Sequence, residues 1–326
     1  YKQYIKMNKK KFFIYPLLAV ASLALGACSD DDGGNGEGGG PAKGRSPYVT
    51  KVLEYRPAPG QFVNEMPEYA EGDTQEDMNA KALAAIGNDA RGVITLGGYG
   101  GYVVCGFDHT IENVPGEADF KVLGNAFYNG GAPAGGTSRP GGSCEPGIVM
   151  VAYDRNRNGQ PDDDEWYELA GSEHGKPETM KGYEITYKRQ AGKALADIPW
   201  TDNKGGAGYI ERNEYHSQDY WPQWIEGGEL AFGGTLLPPN AVDESGTGTY
   251  WVLYAYDWGY ADNRLNTEDG SNFDISWAVD DDGNHVDLPG VDFIKIYTGV
   301  NQQCGWGGET STEVVGITDL HLLKQQ

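Results

Sequence analysis

The sequence predicts a mainly β fold: a single antiparallel β-sandwich with one short helix and a long, aromatic, loop-rich insertion over about 190–270. Three observations lead there. Glycine (49), tyrosine (21) and tryptophan (8) are abundant among 326 residues, while long apolar runs are few, a balance that suits short strands and many turns. Strand-like stretches recur and close on Gly, Asn or Asp: VITLGGYGGYVVCGFD, ADFKVLGNAF, PGIVMVAYD, EWYELAG and GYEITYKR. Later stretches such as TYWVLYAYDWGY, FDISWAVD, GVDFIKIYTGV and VVGITDLHLL are as apolar as the early ones, so they are expected to complete the first sheet. Two sequential domains are the second arrangement. No repeat of fixed period is present, which weighs against propellers and solenoids.

The first 27 residues stand apart from the fold. MNKKK (7–11) is a basic stub, and FFIYPLLAVASLALGA follows it, too short to span a bilayer comfortably and ending in small residues. This reads as a signal peptide over 1–27, with an uncleaved anchor helix as the alternative. LGAC (25–28) resembles the lipobox of bacterial lipoproteins, in which the cysteine, here Cys28, is acylated. Residues 28–46 (CSDDDGGNGEGGGPAKGRS) lack apolar side chains able to pack and form a flexible acidic tether. Its SDDD run resembles the export signal that sends lipoproteins to the outer face of the outer membrane; a solvated linker without an address is the plainer reading. The remaining 47–326 form one domain.

Charge narrows the partners. The chain carries −23; cleavage removes five lysines and no acids, leaving 20 basic against 48 acidic residues, a net −28. Such a surface repels nucleic acid and anionic lipid and attracts cations. Membrane contact is therefore expected only through the lipid anchor.

Thr74, Gln75, Glu76 and Asp77 resemble a capping box, and Met78, Ala82, Leu83 and Ile86 make an apolar stripe closed by Gly87. This predicts the helix, packed on a sheet edge or across a barrel end. Beyond Cys28 three cysteines remain, so one pair can bridge in an oxidising compartment, in three ways. Cys105 lies in a strand-like run and reads as a buried thiol. Cys144 and Cys304 both lie in glycine-rich loops and are assigned as the disulfide.

DRNRNGQPDDDE (154–165) fits the spacing of a calcium-binding loop: side-chain oxygens at Asp154, Asn156 and Asn158, a turn at Gly159, the carbonyl of Gln160, then Asp162 and Glu165. Five carboxylates in twelve residues repel one another unless a cation or water screens them. Neither GIVMVAY before it nor WYEL after it has a helical stripe. A calcium-clamped connection between two strands is expected, and an unmetallated acidic turn is the alternative. DDDGN (280–284) lacks the late acid and reads as an ordinary turn.

GNAF (124–127), EPGIVMVAYDRNRNGQPDDDEWYELAGSE (145–173), PWTDN (199–203), DWGYADN (257–263) and GWGGETSTEV (305–314) resemble a family of bacterial cell-surface lipoproteins, over roughly 46–323. The resemblance implies a jelly-roll-like β-sandwich related to discoidin-type binding modules, without established enzymatic activity. It also implies, by gene neighbourhood alone, a TonB-dependent outer-membrane transporter or other surface lipoproteins as partners, often in cobalamin acquisition.

The aromatic residues Trp200, Tyr220, Trp221, Trp224, Trp258 and Trp306 lie in segments broken by Gly, Pro and Asn, so they are the expected ligand surface. Flat rings suit sugars or a corrinoid macrocycle, and neighbouring amides and acids suit their polar rims. Trp166, Trp251 and Trp277 read as core, and His216 as an ordinary loop histidine. Three functions compete. The first is capture of a nutrient, corrinoid/cobalamin or glycan, for an importer. The second is a carbohydrate-active hydrolase using two of Glu145, Asp257, Glu309 and Glu313, which nothing in the sequence positions together. The third is an adhesive or scaffold protein without a small ligand.

Overall fold

The computed structural model describes residues 44–129, 139–190, 192 and 195–324. The signal peptide, Cys28 and the tether up to residue 43 lie outside the described residues. Strand outweighs helix, 36% to 10%, so the chain is mainly β. Strand pairing divides it among five sheets of six, four, four, three and two strands, where the sequence led to the expectation of two facing leaves.

The six-stranded sheet is the backbone of the fold. Its order is Lys51–Arg56, Tyr102–Glu112, Gly290–Thr298, Gly147–Ala152, Trp166–Leu169 and Ala278–Val279, all antiparallel. The late strand Gly290–Thr298 thus sits in the middle, between two early ones, and completes the first sheet as its apolar character predicts. Residues 103–107 and most of 290–298 are buried without alternation, because both faces of these central strands are covered. VITL and YVVCGFD do form two strands, Ile94–Thr95 and Tyr102–Glu112, separated by Gly97 (φ +68°) and Gly100 (φ +83°). They do not pair with each other: Ile94–Thr95 pairs with Glu313–Val314.

The helix is Gln75–Ile86. Thr74 Oγ1 accepts from Asp77 N (3.2 Å) and Asp77 Oδ2 accepts from Thr74 N (2.9 Å), so the shorter Asp completes the capping box. Met78, Ala82 and Ile86 face inward. The helix covers a sheet edge: Asn79 Oδ1 accepts from Tyr55 N (2.8 Å), Asn79 Nδ2 donates to Leu53 O (2.8 Å), and Gln75 Nε2 donates to Tyr55 O (2.8 Å). These bonds occupy backbone groups of Lys51–Arg56 that an edge strand would leave open. Asn79→Ala is expected to destabilise the fold by about 1–3 kcal/mol, read by urea denaturation, because it leaves two backbone groups of that edge without their partner.

Within 190–270 the segment supplies more regular structure than a decorated loop. Its strands Ile198–Asp202, Ala207–Ile210 and Glu229–Leu236 join Met180–Lys188, which precedes it, in a separate four-stranded sheet. It packs on the six-stranded sheet through Phe232, whose ring lies 6.3 Å from that of Tyr102.

Candidate metal centre

Three carboxylates from distant segments meet inside this framework. Oxygens of Glu145, Asp262 and Glu313 all lie within 4.8 Å of one another. Glu145 is half-buried, whereas Asp262 and Glu313 are 3% and 2% exposed. Backbone bonds hold the three in place. Glu145 N donates to Asp262 O (2.8 Å), Gly147 and Ala261 exchange two 2.9 Å bonds, and Glu313 lies on the strand paired with Ile94–Thr95. Asp262 adopts φ +52°, a left-handed conformation that Asp tolerates better than most residues.

The Asp262 carboxylate is heavily tied. Its Oδ1 accepts from Asn125 N (2.7 Å) and Ala126 N (2.8 Å), and its Oδ2 accepts from Glu313 N (2.9 Å). Glycine is required beside it, since a Cβ on Gly124 would lie 2.4 Å from Asp262 Oδ1. Glu145 accepts from Ser143 Oγ (3.1 Å) and Ser311 N (3.4 Å), and Glu313 Oε1 accepts from Thr95 Oγ1 (3.3 Å). Thr95 and Ser311 hydroxyls are in turn 2.6 Å apart.

Electrostatics makes this arrangement demanding. At about 5 Å and an effective dielectric constant near 20, two carboxylates repel by roughly 3 kcal/mol. Arg264, two residues from Asp262, turns instead to Asp257 (3.9 Å) and Glu268 (3.7 Å), and among the described residues no ion pair neutralises the cluster. Burial therefore raises all three carboxyls, Asp262 and Glu313 well above the ordinary range, and Glu145 adds to the rise of both. The cluster must either hold protons or bind a cation. Its donors are oxygens only, which suits a hard divalent ion such as calcium. The neighbouring Cys144 does not turn it into a thiolate site: burial, then Asp262 and Glu145, push that thiol up to about 12.

Glu309 belongs to the same segment. Its Oε1 accepts from Gln61 N (2.6 Å), its Oε2 is buried without a partner, and burial pushes the group up to about 8. A carboxyl raised in the folded state adds stability below its ordinary range, near 4.5, and that stability is lost as pH rises through about 8. Glu309→Gln is expected to flatten the decline in melting temperature between pH 5 and pH 8.5; an unchanged slope would remove Glu309 as its source.

The acidic loop is the site at which the sequence led to the expectation of calcium. It joins two strands, Gly147–Ala152 and Trp166–Leu169, which pair with each other. Asp154 Oδ1 and Oδ2 accept from Asn158 N (3.0 Å) and Gly159 N (2.8 Å), while Asn156 Nδ2 (2.5 Å) and Asn158 Nδ2 (3.1 Å) both donate to Asp162 Oδ2. Glu165, 2% exposed, accepts from Arg155 N (2.9 Å) and Asp162 N (3.2 Å). The chain thus curls so that Asp154, Asn156, Asn158, Asp162 and Glu165 close on the loop's own backbone, with Gln160 N bonded to Asn158 Oδ1 (2.7 Å). Run 280–284 is an ordinary turn around Asp280 Oδ1.

Several expected site residues lie elsewhere. Tyr220 (1%), Trp221 (0%) and Trp224 (9%) are core, not ligand surface. Trp224 stacks on Tyr55 at 5.6 Å, and Asn64 Nδ2 donates to Asp219 O (2.6 Å) and Trp221 O (2.9 Å), so side-chain amides satisfy the irregular backbone and let it be buried. Trp200 is half-buried against the core. Trp258 and Trp306 are exposed, the first packed on Trp277 at 4.7 Å, the second donating to Thr249 O (3.3 Å). His216 packs edge-on against Phe62 at 4.6 Å.

No disulfide joins Cys144 and Cys304; all three described cysteines are free and buried. Cys304 Sγ instead contacts Thr310 Oγ1 (3.7 Å). Of the acids considered for hydrolysis, Glu145 and Glu313 do meet, contrary to expectation, but in the interior and within 4.8 Å of each other and of Asp262. A glycosidase pair stands roughly 5–9.5 Å apart, flanking an accessible bond. Asp257 is exposed elsewhere.

Sequence reasoning had not singled out Asp262. Its signal was indirect: GNAF, EPG, DWGYADN and the TSTEV end of 305–314 supply the cluster, so four of the stretches that carry the family resemblance converge on one spot. No family model matches the chain, and no curated protein matches it significantly.

Proposed function

We propose that the chain is a calcium-stabilised binding protein, tethered through Cys28 to the outer face of an outer membrane, that captures a small-molecule or glycan ligand for a TonB-dependent transporter. The observation that carries the calcium part is the Glu145–Asp262–Glu313 cluster, whose carboxyl groups have no ion-pair partner among the described residues. Those three carboxylates would hold one ion, and Asp154, Asn156, Asn158, Asp162 and Glu165 with the Gln160 carbonyl a second. In both places the ion ties segments together, and no catalytic step is assigned to it.

The lipid anchor and export rest on 25–32, and the transporter partner rests on the family resemblance. The binding role draws support from a cleft between the six-stranded and four-stranded sheets, lined by Trp166, Lys295 and Thr235 among others, with a volume of 640 Å³. For the finer architecture, a sandwich and a propeller-like grouping of the four larger sheets compete. The six-stranded order interleaves the two ends of the chain, which favours sandwich-type crossovers over blades built in sequence.

Titration of the mature protein with cyanocobalamin and a glycan panel, followed by tryptophan fluorescence, tests the capture role. A saturable change with one of them supports it. Silence throughout, with co-purification of an outer-membrane barrel, would replace it with the scaffold reading.

A further inference from the structure

The cleft deserves its own chemistry. Its floor is one register row across four neighbouring strands, Lys295, Met150, Glu168 and Val279, so these side chains share a face. Trp166 lies two residues before Glu168 on that face and adds an aromatic wall. The strand Glu229–Leu236 closes the other side, and it comes this near because residue 234 is glycine: a Cβ there would lie 2.6 Å from Tyr297 Oη.

The charges in the cleft are unequally satisfied. Glu168 Oε1 accepts from Lys181 Nζ (2.9 Å) and lies 3.0 Å from His174 Nδ1, and its Oε2 accepts from Thr235 Oγ1 (2.5 Å). Asp280 is occupied by its own turn, bonded to Asp282 N and to Asn284. Asp281 stands at the solvent-exposed rim, where water screens it. Lys295 differs. Its ammonium lies 4.2 Å above the Tyr102 ring and makes no hydrogen bond or ion pair among the described residues; Glu54, on the other side of it in the same row, is bonded to Tyr102 Oη (2.7 Å). Burial lowers its pKa, against the pull of Glu54 and Asp163, as expected of a cation removed from water without a counter-ion.

We propose that this cleft binds an acidic saccharide of disaccharide size, with its carboxylate on Lys295 and a sugar ring against Trp166. A partly desolvated lysine without a hydrogen-bonded partner offers a single carboxylate a charge-assisted bond, which must outweigh the general repulsion of a strongly negative chain. The Glu168 carboxylate, fixed by Lys181 and Thr235, supplies acceptor oxygens for ring hydroxyls, and the volume accommodates a ligand of that size. The proposal rests on the capture reading above and names the class of cargo.

Calorimetric titration of the calcium-loaded mature chain with digalacturonate, and with its uncharged methyl diester, tests this. Digalacturonate is expected to bind, the diester at least tenfold more weakly. Lys295→Met should lose a similar factor, Lys295→Arg should retain binding, and circular dichroism should show all variants folded. Equal binding of acid and ester, full binding by Lys295→Met, or no binding of digalacturonate would overturn it. Cyanocobalamin or a neutral glycan bound equally by wild type and Lys295→Met would overturn the acidic-cargo proposal while leaving the capture reading standing; no binding of any of these probes would remove both.

Discussion

EGTA is expected to lower the melting temperature of the mature protein by about 5 °C or more at pH 7.5, and added calcium should restore it. An ion present at 100 times its dissociation constant adds about 2.7 kcal/mol to the folded state. Spread over the unfolding entropy of a domain this size, that is a shift of about 5 °C per site. Two variants separate the sites. Asp262→Asn with Glu313→Gln leaves neutral, isosteric groups in the buried cluster, so the calcium response there should vanish. Asp154→Asn should abolish only the part due to the acidic loop.

The pH dependence strengthens this test. Burial and mutual repulsion raise Glu145, Asp262 and Glu313 in the folded state. Without calcium, their contribution is complete below the ordinary carboxylate range and is lost as pH rises through the raised folded values. Calcium binds the deprotonated form, so its affinity grows over the same interval. The gap between melting curves with calcium and with EGTA should therefore widen from pH 5 to pH 8. A gap independent of pH in the wild type would place the ion away from the buried cluster.

Trp221→Ala is expected to destabilise the fold by about 3–5 kcal/mol, as for other fully buried large aromatics. Trp221 is 0% exposed, and its neighbour Trp224 stacks between Tyr55 (5.6 Å) and Tyr69 (6.2 Å). Truncation of Trp221 therefore opens a cavity in the core. Urea denaturation gives the magnitude. By contrast, Trp306→Ala, at 61% exposure, should change stability by less than about 0.5 kcal/mol. If Trp221→Ala were as mild as Trp306→Ala, the burial of 220–225 would be wrong and a surface role would return.

What the sequence made legible was local. The capping box at Thr74 and Asp77 needs only four residues, and the 154–165 loop carries its spacing within twelve; both appear where expected, the loop between paired strands. The apolar run 290–298 also declared itself, because a strand covered on both faces needs no alternation. The buried cluster was illegible for the opposite reason. Residues 125–126, 145, 262 and 313 are brought together by hydrogen bonds between distant segments, and no period connects them along the chain. Trp221 and Trp224 misled because proline and asparagine usually mark exposed loops; here Asn64 reaches across to bond Asp219 O and Trp221 O, so an irregular segment sits in the core. The glycine-rich settings of Cys144 and Cys304 suggested a bridge, yet the three described cysteines are free and buried, Cys304 against Thr310.

The decisive measurement is metal content by mass spectrometry after calcium loading and desalting, for the wild type and for the Asp262→Asn, Glu313→Gln double variant. Two ions per chain are expected in the wild type and one in the variant, the remaining ion being lost on Asp154→Asn. The same content in the wild type and the double variant would contradict a cation held by Glu145, Asp262 and Glu313.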